Sequence, residues 1–241
     1  PFSNAAVDVL EAAGVAQYKV GSGEVSNFLL LKKIVETGKP IIISSGMSSY
    51  AELDDTVAFL KEHKASFSIL QCTTSYPTQP KQYGLNIIQE LKDRYEVPVG
   101  FSDHSAEVAT GIAAVALGAT ILEFHVVFDK AQFGPDVSSS LTMAEVSQLV
   151  TGATAISEAL QHPVDKQSNA TFSDLKNIFE KSLAVNKTLP KGHVLTFEDL
   201  EGKKPKGYGM DAKAFRTVIG KKVTRDMNAW DFLTQNDIEH E

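Results

Sequence analysis

Cysteine is nearly absent: Cys72 is the one thiol in 241 residues. A single thiol closes no internal disulfide, so the fold must hold without covalent staples, and a reducing cytoplasm is the expected setting. Cys72 ends an apolar run, SFSILQCT, and reads as a buried strand residue, with a reactive thiol as the alternative. Basic residues are also short. The 23 Lys and Arg face 30 Asp and Glu, a net charge of −7. That balance argues against a general nucleic-acid binder, although a few lysines in one pocket are enough for a single phosphate. No apolar run reaches the length of a bilayer span, and no basic-then-apolar leader opens the chain. Neither a membrane nor a nucleic-acid partner is expected.

Apolar residues make up 43% of the chain, enough for a substantial core. Five short apolar runs recur along the first two thirds: QYKVGSG, KPIIISSGM, SFSILQCT, VPVGFSDH and ATILEFHVV. Each is near-continuous rather than alternating, as suits strands buried on both faces of a parallel sheet. Helical patterns separate them. VSNFLLLKKIVETG stops at Gly38, Ser49 with Glu52 forms a capping-box pattern, and EVATGIAAVALGA runs to a glycine. The spacing, roughly 20 to 30 residues, is that of βα units.

Two folds accommodate such units, an open doubly wound sheet and part of an eight-unit barrel. Ser22, Ser44, Thr73, Ser102 and His104 fall at carboxyl ends of the expected strands, and His125 lies late in its own. In a barrel those ends converge on one mouth, so the expectation is a partial (β/α)8 TIM barrel of five βα units. Five cannot close it, and the opening PFSNAAVDVLEAAGV, a loop entering a helix, reads as preceded by about three more. The expected organisation is a catalytic domain over residues 1–162, a polar linker over 163–180, and a small mixed β domain over 181–241. No internal repeat and no low-complexity tract is evident.

Several residues could carry chemistry. Glu123 and His125 are two apart and so share a strand face, and His104 follows the neighbouring strand. Adjacent strands lie about 5 Å apart, so the two imidazoles can share a divalent metal or serve as hydrogen-bonded core histidines. Lys19, followed by Ser22 and Gly23, can cradle a phosphate or carry its ammonium to the rim. Tyr76 lies in a proline-shaped loop, as wall or as scaffold. Asp136 is a turn former or a hydroxyl acceptor.

Taken in order, YKVGSGE, KPIIISSGM, QCTTSYPT, VGFSDH, LEFH and FGPD resemble the signature run of the sialic acid synthase family. The tail SLAVNKTLPKGHVLTFEDLEGKKPKGYG is similar to that family's terminal antifreeze-like domain, a β-clip. The resemblance implies condensation of phosphoenolpyruvate with an N-acylated hexosamine, N-acetylmannosamine above all, to a nonulosonic acid and phosphate. It implies a divalent ion, Mn2+ or Mg2+, and a domain-swapped homodimer. His104 and His125 fall on its metal ligands. Lys19, Ser22, Ser44, Thr74 and Ser102 fall on phosphoenolpyruvate contacts, and Glu24, Tyr76 and Asp136 on positions that line or serve the sugar site. Glu24 and Glu123 are the implied catalytic carboxylates, Glu123 without a defined step.

Three departures stand out. Lys203-Lys204-Pro205 stands where the family often has an arginine that reaches the sugar's N-acyl group, and lysine lacks the bidentate fork. Thr74 stands where the family commonly has asparagine. The early barrel strands, which carry a further lysine and glutamate, have no counterpart here. A legionaminic, pseudaminic or spore-coat sugar synthase is the alternative within this chemistry. A non-catalytic fragment that binds sugar or a partner protein is the alternative outside it.

Overall fold

The computed structural model describes residues 1–239. The chain divides into two compact units, Pro1–Pro163 and Val164–Glu241.

The first unit alternates helix and strand. Its elements are α1 (Asn4–Ala13), β1 (Tyr18–Val20), α2 (Phe28–Glu36), β2 (Ile41–Ser44), α3 (Tyr50–Glu62), β3 (Phe67–Cys72), α4 (Ile87–Tyr95), β4 (Val99–Asp103), α5 (Val108–Ala116), β5 (Leu122–Val127), β6 (Ser140–Thr142) and α6 (Met143–Gln161). The strands form one sheet in sequence order, and every neighbouring pair is parallel. The sheet has six strands, not the five read from the sequence. The extra strand, β6, is the triplet SLT, whose one apolar residue, the buried Leu141, is too little to show as an apolar run.

Local signals explain the helices. Ser49 and Glu52 form the expected capping box of α3, and Thr142 with Glu145 builds a second at the start of α6. Gly38 and Gly118 take positive φ just beyond α2 and α5, the left-handed stop only glycine adopts cheaply. The core packs Leu30, Leu31, Ile34, Leu60, Ile88 and Leu91 of the helices against Tyr18, Ile41, Ile43, Ile69, Val99 and Phe101 of the strands.

The sheet is a curled half-barrel. Flat, four strand spacings would put β1 about 19 Å from β5. Yet Lys19 Nζ on β1 lies 3.1 Å from Glu123 Oε2 on β5. Only a curl that turns the strand ends toward one another permits that contact.

In the second unit, the stretch 163–180 read as a linker carries a 3-10 turn, Ala170–Phe172, and a short helix, α7 (Ser173–Phe179). Its Ser- and Asn-rich residues hid a helix of two turns. Beyond it β7 (Ser182–Val185) and β8 (Leu200–Lys203) pair antiparallel, and the rest is turns, short 3-10 helices and single bridges packed with the strands around Leu183, Val185, Leu195, Val218, Val223 and Leu233.

This unit holds an internal repeat, contrary to the sequence reading. Residues 185–201 recur at 223–239, a shift of 38 (Asp199 to Asp237). Leu189 and Met227 exchange backbone hydrogen bonds, both 2.9 Å. Gly192 donates to the Val223 carbonyl, and its counterpart Trp230 donates to that of Val185. Asp199 accepts from Thr196 N–H and from Lys187; Asp237 accepts from Thr234 N–H and from Arg225. The halves share Val185/Val223, Leu195/Leu233, Thr196/Thr234, Asp199/Asp237 and Glu201/Glu239 but differ at the other positions, which concealed the repeat.

Candidate active site

The carboxyl ends of β1 to β5 open into one cleft of about 580 Å3. Strand register sets its wall. Cys72 pairs with Ser102, and Ser102 with Glu123, so these three side chains form a row across β3, β4 and β5. Leu70, two residues before Cys72, packs beneath, and Gly100 on β4 makes room for it. A Cβ on Gly100 would fall 2.4 Å from Leu70 Cδ2 and 2.5 Å from the Ile121 carbonyl.

One side of the cleft suits an anion. Lys19, Ser22, Ser44 and Ser102 all line it. Ser44 is 2% exposed, and its hydroxyl has no partner among the described residues. A buried donor left unpaired is costly, so a group that accepts from it is expected. Ser22 Oγ accepts from the Gly46 N–H at 3.2 Å. A Cβ on Gly46 would lie 2.6 Å from Ser22 Oγ, 2.5 Å from Thr74 Oγ1 and 2.9 Å from Cys72 Sγ. Only glycine leaves that corner open.

The other side carries the imidazoles. His104 is buried, and its Nδ1 lies 3.0 Å from the Thr73 carbonyl. A carbonyl only accepts, so Nδ1 holds the proton of the neutral ring and Nε2 keeps a free lone pair. The His125 ring stands 5.2 Å from that of His104 at 81°, and its Nδ1 is 3.6 Å from Asp136 Oδ2. Tyr76 packs on both rings, at 4.3 and 5.8 Å. Burial pushes the Tyr76 phenol up, and the nearby Cys72, Asp136 and Glu123 push it further. It stays a neutral donor.

Among the described residues no group of three or more His, Cys, Asp or Glu is placed to hold a metal. The two imidazoles suit a divalent cation as nitrogen donors, with water or substrate oxygens completing the shell. His104, tied through Nδ1 to a carbonyl, has the outer hydrogen bond typical of a ligating histidine.

The remaining candidates fall elsewhere. Glu24 sits in the 3-10 turn Ser22–Glu24, does not line the cleft, and accepts from Asn27 Nδ2 at 2.7 Å. Thr74 stands behind the Gly46 corner. Lys204 belongs to the second unit, its Nζ 5.1 Å from the Phe179 ring centre. Among the lining residues with polar or thiol side chains, three were not singled out from the sequence: Gln132, Ser140, which pairs with His125, and Cys72 as a wall residue. Asp103, which the segment GFSDH places at the strand end, was given no role from the sequence. It accepts from Ser105 N–H at 2.8 Å and Ser105 Oγ at 2.9 Å, pinning the turn that carries His104. Its place between two cleft residues, on the opposite face of the strand, was the available signal.

A family model described as the NeuB family matches residues 1–165. The chain belongs to the NeuB family. It is 34% identical to the N,N'-diacetyllegionaminic acid synthase of Campylobacter jejuni, over 94% of this chain and 68% of that protein. It is 36% identical to the human N-acetylneuraminate-9-phosphate synthase, over 90% of this chain and 61% of that one. Among solved structures it resembles an N-acetylneuraminic acid synthetase from Leptospira borgpetersenii serovar Hardjo-bovis, solved with citrate. The TM-score is 0.68 at 33% identity, covering 73% of this chain and 61% of that one. This NeuB chain therefore spans 61% to 68% of the lengths of these relatives. Among the described residues no helix is long and apolar enough to cross a membrane.

Proposed function

We propose that the cleft condenses phosphoenolpyruvate with the open-chain aldehyde of an N-acylated hexosamine, N-acetylmannosamine foremost, giving a nonulosonic acid and phosphate. One observation carries this reading. An anion-suited wall with an unpaired buried hydroxyl, Ser44, and a pair of imidazoles share a single cleft.

In the reaction, C3 of phosphoenolpyruvate bonds to the aldehyde carbon, water adds at C2, and the C–O bond to phosphate breaks. Lys19 and the hydroxyls of Ser22, Ser44 and Ser102 hold the phosphate while that bond breaks, since charge-assisted donors are the strong ones. Tyr76 shields the rings of His104 and His125 from one side. A divalent cation, Mn2+ or Mg2+, held by those two histidines would polarise the aldehyde oxygen or activate water. Asp136, in the cleft beside His125, is suited to accept from a sugar hydroxyl. The second unit is proposed to be antifreeze-like, as its tail motif suggests.

The relatives' names differ in product, legionaminic for one and neuraminate 9-phosphate for another, so the acceptor is chosen by assay. Phosphate release is measured with phosphoenolpyruvate, either metal, and N-acetylmannosamine or diacetamido-dideoxyhexoses. Release that needs both substrates supports the proposal. Binding of sugar with no release under any combination would leave a binding module instead.

A further inference from the structure

The contact between Lys19 and Glu123 is a chord across the half-barrel. The two residues belong to strands separated by β2, β3 and β4, and their side chains meet at 3.1 Å inside the cleft. Lys19 Nζ otherwise lies 3.4 Å from the Val20 carbonyl, a marginal contact. Glu123 is thus its one close charged partner among the described residues.

The surroundings explain why this matters. The Lys19 ammonium lies in the same cleft as Ser22, Ser44 and Ser102. An anion that takes the unpaired Ser44 hydroxyl shares the cleft with this ammonium, to which the Glu123 carboxylate is already bound. The pair is about two-thirds covered, with side-chain exposures of 32% and 39%. It is screened less than a surface pair but is still open to exchange with a ligand.

We propose that Glu123 is the resident counter-ion of Lys19, a positioning residue that parks the ammonium in the cleft and weakens its hold on phosphate. The inference rests on the proposed reading of the cleft as a phosphoenolpyruvate site and gives Glu123 a defined part in it. Glu123 keeps Lys19 aimed inward before substrate arrives. It takes the ammonium back when phosphate departs, so tight product binding is avoided.

The test is calorimetric titration of inorganic phosphate, and separately phosphoenolpyruvate, into the unaltered protein, Glu123→Gln, Lys19→Met and the double variant. Glutamine keeps the shape of the side chain and removes its charge. Glu123→Gln should bind phosphate roughly fivefold more tightly at low salt, the upper end for a partly exposed pair, and the gain should vanish near 1 M salt. In the Lys19→Met background the same change should do nothing, because the partner through which Glu123 acts is gone. Unchanged or weaker binding in Glu123→Gln, or an equal gain without Lys19, overturns the counter-ion role while leaving the anion site standing. Failure of the unaltered protein to bind either anion overturns both readings.

Discussion

His104 and His125 stand on neighbouring strand ends with their rings 5.2 Å apart and nearly perpendicular. His104 is held by its Nδ1 hydrogen bond to Thr73, so its open nitrogen is fixed before any ligand arrives. His125→Ala removes one of the two proposed nitrogen donors. Its Mn2+ affinity, measured by titration, should fall by more than the roughly tenfold to hundredfold that loss of an outer partner costs. Unchanged affinity would contradict metal ligation by His125.

Ser44→Ala separates stability from binding. The buried hydroxyl has no partner among the described residues, so its removal should stabilise the protein by about 1 kcal/mol. Phosphoenolpyruvate affinity should fall about tenfold, the worth of a hydrogen bond to a charged group. Urea unfolding and calorimetry read the two effects. A loss of stability with intact affinity would mean that the hydroxyl serves the fold.

Gly100→Ala tests the cleft floor. Its Cβ would meet Leu70 and the Ile121 backbone at about 2.5 Å or less, and a carbonyl in a parallel ladder does not move aside. A cost of about 2 kcal/mol or more is expected in thermal unfolding. Gly192→Ala is the complementary case. It faces open space, but φ is +84°, so the strain alone should cost about 1 kcal/mol.

In the second unit, Asp199 gives a pH signature. Burial opposes its charge, but Lys187, His193 and the Thr196 N–H and hydroxyl outweigh burial and hold its pKa far below the carboxylate range. Asp237, set likewise by Thr234 and Arg225 against burial, is also lowered. The unfolded chain therefore binds more protons than the folded one at low pH. The stabilisation is full above the ordinary carboxylate pKa of about 4 and is lost as pH falls toward the folded values. Asp199→Asn should cost about 3 kcal/mol at neutral pH and flatten the acid limb of stability against pH.

The sequence showed those parts of the fold whose signals are local. Apolar runs located β1 to β5, and Ser49 with Glu52 marked the start of α3, because burial on both faces and capping leave marks within a few residues. β6 left none, being only three residues long with Leu141 as its one apolar side chain between Ser140 and Thr142. The repeat was hidden because exposed positions such as Phe197 and Gln235 are free to differ, while the Asp–Thr–cation clusters that preserve it are separated in sequence. For the site, the strand-end position marked Ser102 and His104, and alternation put Glu123 and His125 on one face; all four line the cleft. Glu24 departed because the chain turns into a 3-10 helix after Val20 and aims it at Asn27. The Lys19–Glu123 contact depends on the curl of the whole sheet, which no local pattern encodes.

The most direct measurement is mass spectrometry of the product formed from fully 13C-labelled phosphoenolpyruvate, N-acetylmannosamine and Mn2+. The proposed condensation gives a nine-carbon 2-keto acid carrying all three labelled carbons, with one phosphate released for each. Labelled pyruvate and phosphate without any labelled sugar acid, across the diacetamido acceptors as well, would contradict it.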